Sequence, residues 1–129
     1  MNSFPYSQEY TPSAPVVQVE LTALEEGRPI GPYTALVDTG ADGTFVPTHL
    51  LEELGTVPTY LTTVRSHLGE KAHQAEIHRV DLILFGNVRL PGIEVVSDDW
   101  GDQIVIGRNV LNKLRVHLNG PNQEIQVSE

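Results

Sequence analysis

The sequence predicts a mostly β domain with one or two short helices, and three observations carry that expectation. Apolar residues recur in short runs, several of them alternating with polar ones. Turn formers punctuate the runs, at residues 27–32, at Gly69, at Gly86-Asn87 and at Asn119-Gly120-Pro121. Helical spacing is confined to two brief segments, residues 48–54 and 108–114.

Taken in order, residues 1–15 read as a flexible arm, because Pro5, Pro12 and Pro15 interrupt regular structure; residues 16–129 read as one domain. Residues 16–24 set Val17, Val19 and Leu21 against Gln18 and Glu20, a strand pattern. Residues 27–32 read as a turn, and residues 33–37 as a short apolar run that stops at Asp38-Thr39-Gly40. Residues 48–54 fit a helix with Thr48 as N-cap and Gly55 as its stop. Residues 60–66 and 72–84 form a hairpin around Gly69, and residues 88–96 another strand. An acidic loop, residues 97–103, carries the single Trp100, read as a packing anchor ahead of a substrate-stacking residue. Ile104-Val105-Ile106 is a buried-looking triplet, and the chain closes with a hairpin on either side of Gly120-Pro121.

Composition narrows the function. The chain has 129 residues, enough for one core but not two. With 17 acidic against 8 basic residues, its formal charge of -9 argues against nucleic acid and against an anionic membrane surface. There is no cysteine, so disulfides, thiolate nucleophiles and Cys-based zinc sites are excluded. No signal peptide or membrane-spanning run is visible, and a cytoplasmic location is the default.

The chemistry concentrates in residues 35–44, where an apolar strand delivers Asp38 into a turn of Thr and Gly. A strand interior disfavours Asp and Gly, so placing both directly after a buried run points to a carboxylate held at a site. Alone, Asp-Thr-Gly reads better as an ordinary turn. The second segment, Ile104-Val-Ile-Gly-Arg-Asn-Val-Leu111, tips the balance. Together the two segments resemble the retropepsin family of aspartic peptidases, in order, in separation and in the hairpin between them. The likeness runs over residues 16–127 and is nearer to bacterial and cellular members than to viral ones.

That resemblance implies an all-β, six- or seven-stranded closed or orthogonally packed barrel with a flap hairpin and one short C-terminal helix. It implies an aspartic endopeptidase that needs no cofactor and no metal, acting on a peptide or protein substrate as a homodimer. Asp38 matches the catalytic aspartate, and Thr39 the residue whose hydroxyl crosses the dimer axis. Gly40 matches a residue whose carbonyl binds substrate backbone, and Ala41 and Asp42 match residues lining the cleft. Leu68 and Gly69, with His67 and Glu70, fall where the family carries its flap. Gly107 and Arg108 match the start of the helix, the arginine pairing with the aspartate at the Asp42 position. Departures are the single Gly in the flap and a C-terminal segment that continues past Leu118, where viral chains end in the dimer sheet.

Rival readings fare less well. A phosphatase-type aspartyl nucleophile needs an acid two residues on, where this chain has Gly40 or Thr44. The five histidines sit in separate segments, or, for His73 and His78, on opposite faces of one strand, so a metal site is not expected. The alternative from another class is a non-catalytic dimeric peptide-binding or scaffold module on the same fold.

Overall fold

The computed structural model describes residues 2–24, 26–65 and 72–129. In chain order they form β1 (Asn2–Pro5), β2 (Val16–Ala23), β3 (Glu26–Val37), β4 (Thr44–Pro47), α1 (Thr48–Leu54), β5 (Tyr60–Val64), β6 (His73–Leu84), β7 (Val88–Asp98), β8 (Ile104–Ile106), α2 (Arg108–Leu111), β9 (Arg115–Asn119) and β10 (Glu124–Ser128). Strand order β2-β3-β8-β4-β7-β6 closes on itself through a β2–β6 pairing, giving a six-stranded barrel. Closure is possible because β6 is long. Its residues 73–77 pair with β5, while 81–84 pair with β2. The expected barrel is therefore present, with β5 and the start of β6 as a projecting hairpin stem.

Inward-facing aliphatic residues fill the barrel, among them Val19, Leu21, Val46, Val80, Leu82 and Val95, all fully buried. A second sheet of order β1-β10-β9 caps this core with Ile125 and Val127. Phe4 of β1 stacks on Phe85, ring centroids 5.0 Å apart. One carboxylate, Asp81, sits inside the apolar run of β6 and is buried. It accepts bonds from Arg89 Nε and Nη2 at 3.1 and 2.7 Å and from the Gly92 N–H at 2.9 Å, which offsets its desolvation. Among the described residues, no buried side-chain nitrogen or oxygen lacks a partner. None of their helices is long and apolar enough to cross a membrane.

Four local expectations are corrected. Residues 1–15 are not without regular structure: β1 pairs with β10 from Asn2↔Val127 to Pro5↔Glu124, and Ser7 bridges Ala14. Pro5 is tolerated because it ends an edge strand, where a missing N–H breaks no central ladder. Residues 27–32 are not a turn but part of β3. Between Val19↔Tyr33 and Leu21↔Ile30 the β3 strand carries an extra residue, and Gly31-Pro32 lies in that bulge. Thr48 is not the N-cap of α1. Pro47 stands there, and Thr48 Oγ1 instead bonds Ser97 Oγ at 2.7 Å and donates to Asp99 Oδ1 at 2.5 Å. Gly55 does stop α1, in the left-handed conformation expected of a C-cap glycine. The C-terminal helix α2 spans only Arg108–Leu111, and with α1 makes two short helices.

Ile125 ties the capping sheet to the barrel and is fully buried. Ile125→Ala is expected to destabilise the fold by about 2–5 kcal/mol, read as a lower midpoint in urea denaturation with an unchanged slope.

Candidate active site

The site is built on three strand ends. Strand β3 leads into Asp38 and β4 begins at Thr44, so residues 38–43 form the loop between them. Strand β8 lies between these two strands. It runs parallel to β3, with Val37↔Ile106, and antiparallel to β4, with Phe45↔Val105. The loop is thereby threaded over the end of β8, next to the start of α2.

Backbone bonds fix it there. The Asp38 N–H donates to Ile106 O at 2.9 Å, and the Arg108 N–H to Ala41 O at 2.8 Å. Within the loop, the Gly40 N–H donates to Asp38 Oδ1 at 2.9 Å, which holds the carboxylate in one orientation. Asp38 Oδ2 accepts no hydrogen bond from the described residues. The side chain is half-buried and lines a cavity of about 350 Å³ with Gly40, Ala41, Asp42, Phe45, Arg65 and Arg108. A neighbouring cavity of about 500 Å³ shares Asp42, Phe45 and Arg65 and extends to Thr62, Ile77, Glu94 and Asn109. The two make a continuous cleft between the Asp38 loop and the hairpin stem. On that stem, the Tyr60 hydroxyl donates to Glu94 Oε1 at 2.9 Å, and this bond raises the phenol above its usual range.

Gly107 permits the close packing of loop and helix start. A Cβ there would run into the Gly43 carbonyl oxygen and lie 2.9 Å from that of Ala41. Thr44, fully buried, joins the same parts. Its Oγ1 accepts the Gly107 N–H at 3.1 Å and donates to Asn109 Oδ1 at 2.7 Å. Asn109 Nδ2 then donates to Glu94 O at 2.9 Å, linking α2 to β7.

Of the residues singled out in the sequence, Asp38, Gly40, Ala41, Asp42 and Arg108 line one cavity, and Gly107 supports it from behind. Thr39 is exposed, and its hydroxyl makes no hydrogen bond among the described residues. Leu68 and Gly69, with His67 and Glu70, lie outside the described residues. The expected Arg108–Asp42 ion pair is not formed. Arg108 Nη1 donates to Thr39 O at 3.0 Å, and the Arg–carboxylate ion pair among the described residues is Arg89–Asp81. A carbonyl at the crest of the loop satisfies the guanidinium in place of the carboxylate. Trp100 is not a packing anchor either, being 86% exposed. Asp98 Oδ1 accepts the N–H groups of Trp100 and Gly101, a tight turn that holds the indole away from the core. His78 is buried and locally bonded, to Thr56 Oγ1 at 2.9 Å and Glu76 Oε1 at 3.2 Å. No group of three or more potential metal ligands converges among the described residues.

Sequence reading missed Thr44, Asn109, Phe45, Arg65 and Glu94. Thr44 and Asn109 stand inside the two motifs. A Thr opening a buried strand and an Asn in the first turn of a helix packed on the core both need polar partners, and that need was the available signal.

A loop-borne carboxylate over a closed barrel, facing a cleft beside a hairpin stem, fits a peptidase of the aspartic class. The aspartyl protease family model matches residues 19–124, and the chain belongs to that family. No curated protein matches it. Among solved structures, a retropepsin-like aspartic protease from Rickettsia conorii is similar at 12% identity and TM-score 0.66, over 99% of this chain and 92% of that one. EIAV protease, solved with the inhibitor HBY-793, is similar at 19% identity and TM-score 0.53, over 85% and 93%. The retroviral protease-like domain of Ddi1 from Leishmania major follows at 18% identity and TM-score 0.51, over 88% and 89%. These likenesses establish a retropepsin-like fold.

Two glycines separate the structural requirements of the loop. Gly107→Ala is expected to destabilise by about 3 kcal/mol, at the upper end for overpacking, and to abolish cleavage. Gly43→Ala is expected to be tolerated, because the nearest atom to an added Cβ is Val96 Cγ2 at 3.7 Å. Thermal melts of the two variants beside wild type check the contrast.

Proposed function

We propose that this peptidase is an endopeptidase whose active unit is a homodimer, each copy supplying Asp38 to one shared site. The observation that carries the reading is the single oriented carboxylate: Oδ1 is held by the Gly40 N–H, while Oδ2 has no partner among the described residues. One carboxylate cannot both take a proton from water and polarise the scissile carbonyl. Two held close together cannot both ionise, and so share one proton, as in aspartic proteases generally. With one Asp-Thr-Gly per chain, a two-fold axis beside the loop supplies the second.

In this mechanism the ionised Asp38 takes a proton from a water held between the two side chains. The protonated Asp38 donates to the carbonyl oxygen of the substrate as the water oxygen attacks carbon. The resulting tetrahedral species collapses as the amine nitrogen is protonated and the C–N bond breaks. No acyl-enzyme forms. The Gly40 carbonyl and the hairpin hold the substrate as an extended strand, with Ala41, Asp42, Leu68 and Gly69 along the cleft. Thr39 braces the two loops across the axis through its free hydroxyl. Arg108 and Gly107 act as support.

Asp38→Asn is expected to preserve the melting temperature and the oligomeric state while removing cleavage of a peptide library by at least a thousandfold. Retained turnover in the purified variant would contradict the mechanism and favour cleavage by another group. Specific activity of wild type is also expected to fall on dilution through the dimer dissociation constant.

A further inference from the structure

Resting on the reading of an extended peptide in the cleft, we propose that the open edge of β5 carries the substrate beyond the cleft. A distal stretch of the same peptide pairs with β5 as an added strand and lays apolar side chains on Tyr60 and Leu61. Strand β5 ends the seven-stranded sheet and has β6 as its single neighbour. Its residues, Tyr60-Leu-Thr-Thr-Val64, include no proline and no charge, the devices that normally block pairing at an edge. All but Leu61 are aromatic or β-branched, the types that favour a strand. Such an edge takes an extended peptide through main-chain hydrogen bonds.

Continuity with the cleft identifies the occupant. Thr62, Thr63 and Val64 line the cavity of about 500 Å³, and Arg65, the next residue, lines both that cavity and the one that holds Asp38. A peptide that passes Asp38 and leaves along β5 therefore meets Leu61 four residues beyond Arg65, about 13 Å at strand spacing. In two copies related by a two-fold axis, one β5 serves each side of the scissile bond.

Side chains at this end of β5 fit apolar residues. Tyr60 is 48% exposed and Leu61 58%. Tyr60↔Ile77 and Leu61↔Glu76 are successive pairs, so the two side chains lie on opposite faces of the stem. The side chains of an added strand alternate in the same way and meet both. On one face the Tyr60 ring is held by its hydroxyl bond to Glu94, so it offers its surface with little further loss of rotamer freedom. On the other, Leu61 borders a cavity of about 330 Å³ with Gln74, Ala75, Glu76, Ser97 and Asp99. Glu76 and Asp99 disfavour an acidic residue there, as does the net charge of -9. The distal stretch selected is thus an extended, strand-forming segment, apolar and free of Asp and Glu.

The test takes the shortest library peptide that wild type cleaves and lengthens it at both ends by about four residues, of Val and Thr, of Gly and Ser, or of Val and Glu. The Val-Thr extension is expected to lower KM at least tenfold with kcat near unchanged, and the other two are not. N-methylation of the Val-Thr extension at every second residue is expected to remove the gain in one phase and leave it in the other, because alternate N–H groups of an added strand face the edge. Leu61→Asp is expected to abolish the gain while cutting the short peptide as wild type does and keeping the wild-type oligomeric state in sedimentation. Equal KM for all extensions, a gain that survives Leu61→Asp, or equal effects of the two N-methylation phases overturns the β5 site. Asp38-dependent cleavage of the short peptide then leaves the paired-Asp38 reading standing. A Leu61→Asp variant that loses its oligomeric state also overturns the β5 site, because a second copy then occupies this edge. A wild type that cleaves no peptide overturns both.

Discussion

The contact between Gly107 and the backbone of residues 41–43 is the constraint on which the rest of the site depends. A side chain at residue 107 would occupy the space of the Gly43 carbonyl, so the end of β8 and the Asp38 loop can touch only with glycine there. That contact lets the Arg108 N–H reach Ala41 O and lets buried Thr44 bond both Gly107 N and Asn109 Oδ1. The loop is then held by strand ladders at both ends and by a polar cluster beneath. Gly40 thus orients Asp38 through a backbone N–H. Rigidity of this kind is what preorganised catalysis needs, because an Ångström of freedom in the carboxylate would be felt in rate.

The same arrangement bears on pairing, because the chain of 129 residues carries one Asp-Thr-Gly. Among the described residues the barrel is closed, and open strand edges lie at the hairpin stem and in the separate capping sheet. Exposed Thr39 crowns the loop, and the capping sheet follows closely after α2. The elements that support the carboxylate are thus continuous, within a few residues, with the elements available for pairing. Arg108 bridges α2 to the crest of the loop.

The β class, the barrel strands and the residues of the Asp38 loop were legible in the sequence because each rests on local pattern. Alternation marks β2, and turn formers bracket β6 and β7. Long-range pairing was less legible. Prolines at positions 5, 12 and 15 have no local signature that distinguishes an edge strand from an arm, since what orders β1 is β10, more than a hundred residues away. Gly31-Pro32 has the composition of a turn, and only the partner strand β2 makes it a bulge. Thr48 resembles a cap until Ser97 and Asp99 arrive beside it from the other side of the fold. Arg108 lines the cavity with Asp38 but bonds Thr39 O and not Asp42, and a carbonyl oxygen leaves no trace in a sequence. The acidity of the chain, in turn, says nothing about the cleft, where arginines 65 and 108 stand beside Asp38 and Asp42.

The most direct measurement of the central claim is a mixing titration of wild type with Asp38→Asn at constant total concentration, well above the dimer dissociation constant and after full subunit exchange. If each site needs Asp38 from two copies, activity follows the square of the wild-type fraction, so an equal mixture retains about one quarter of the starting rate. A linear fall, with about one half retained at equal mixing, would mean that one Asp38 suffices and would contradict the shared site.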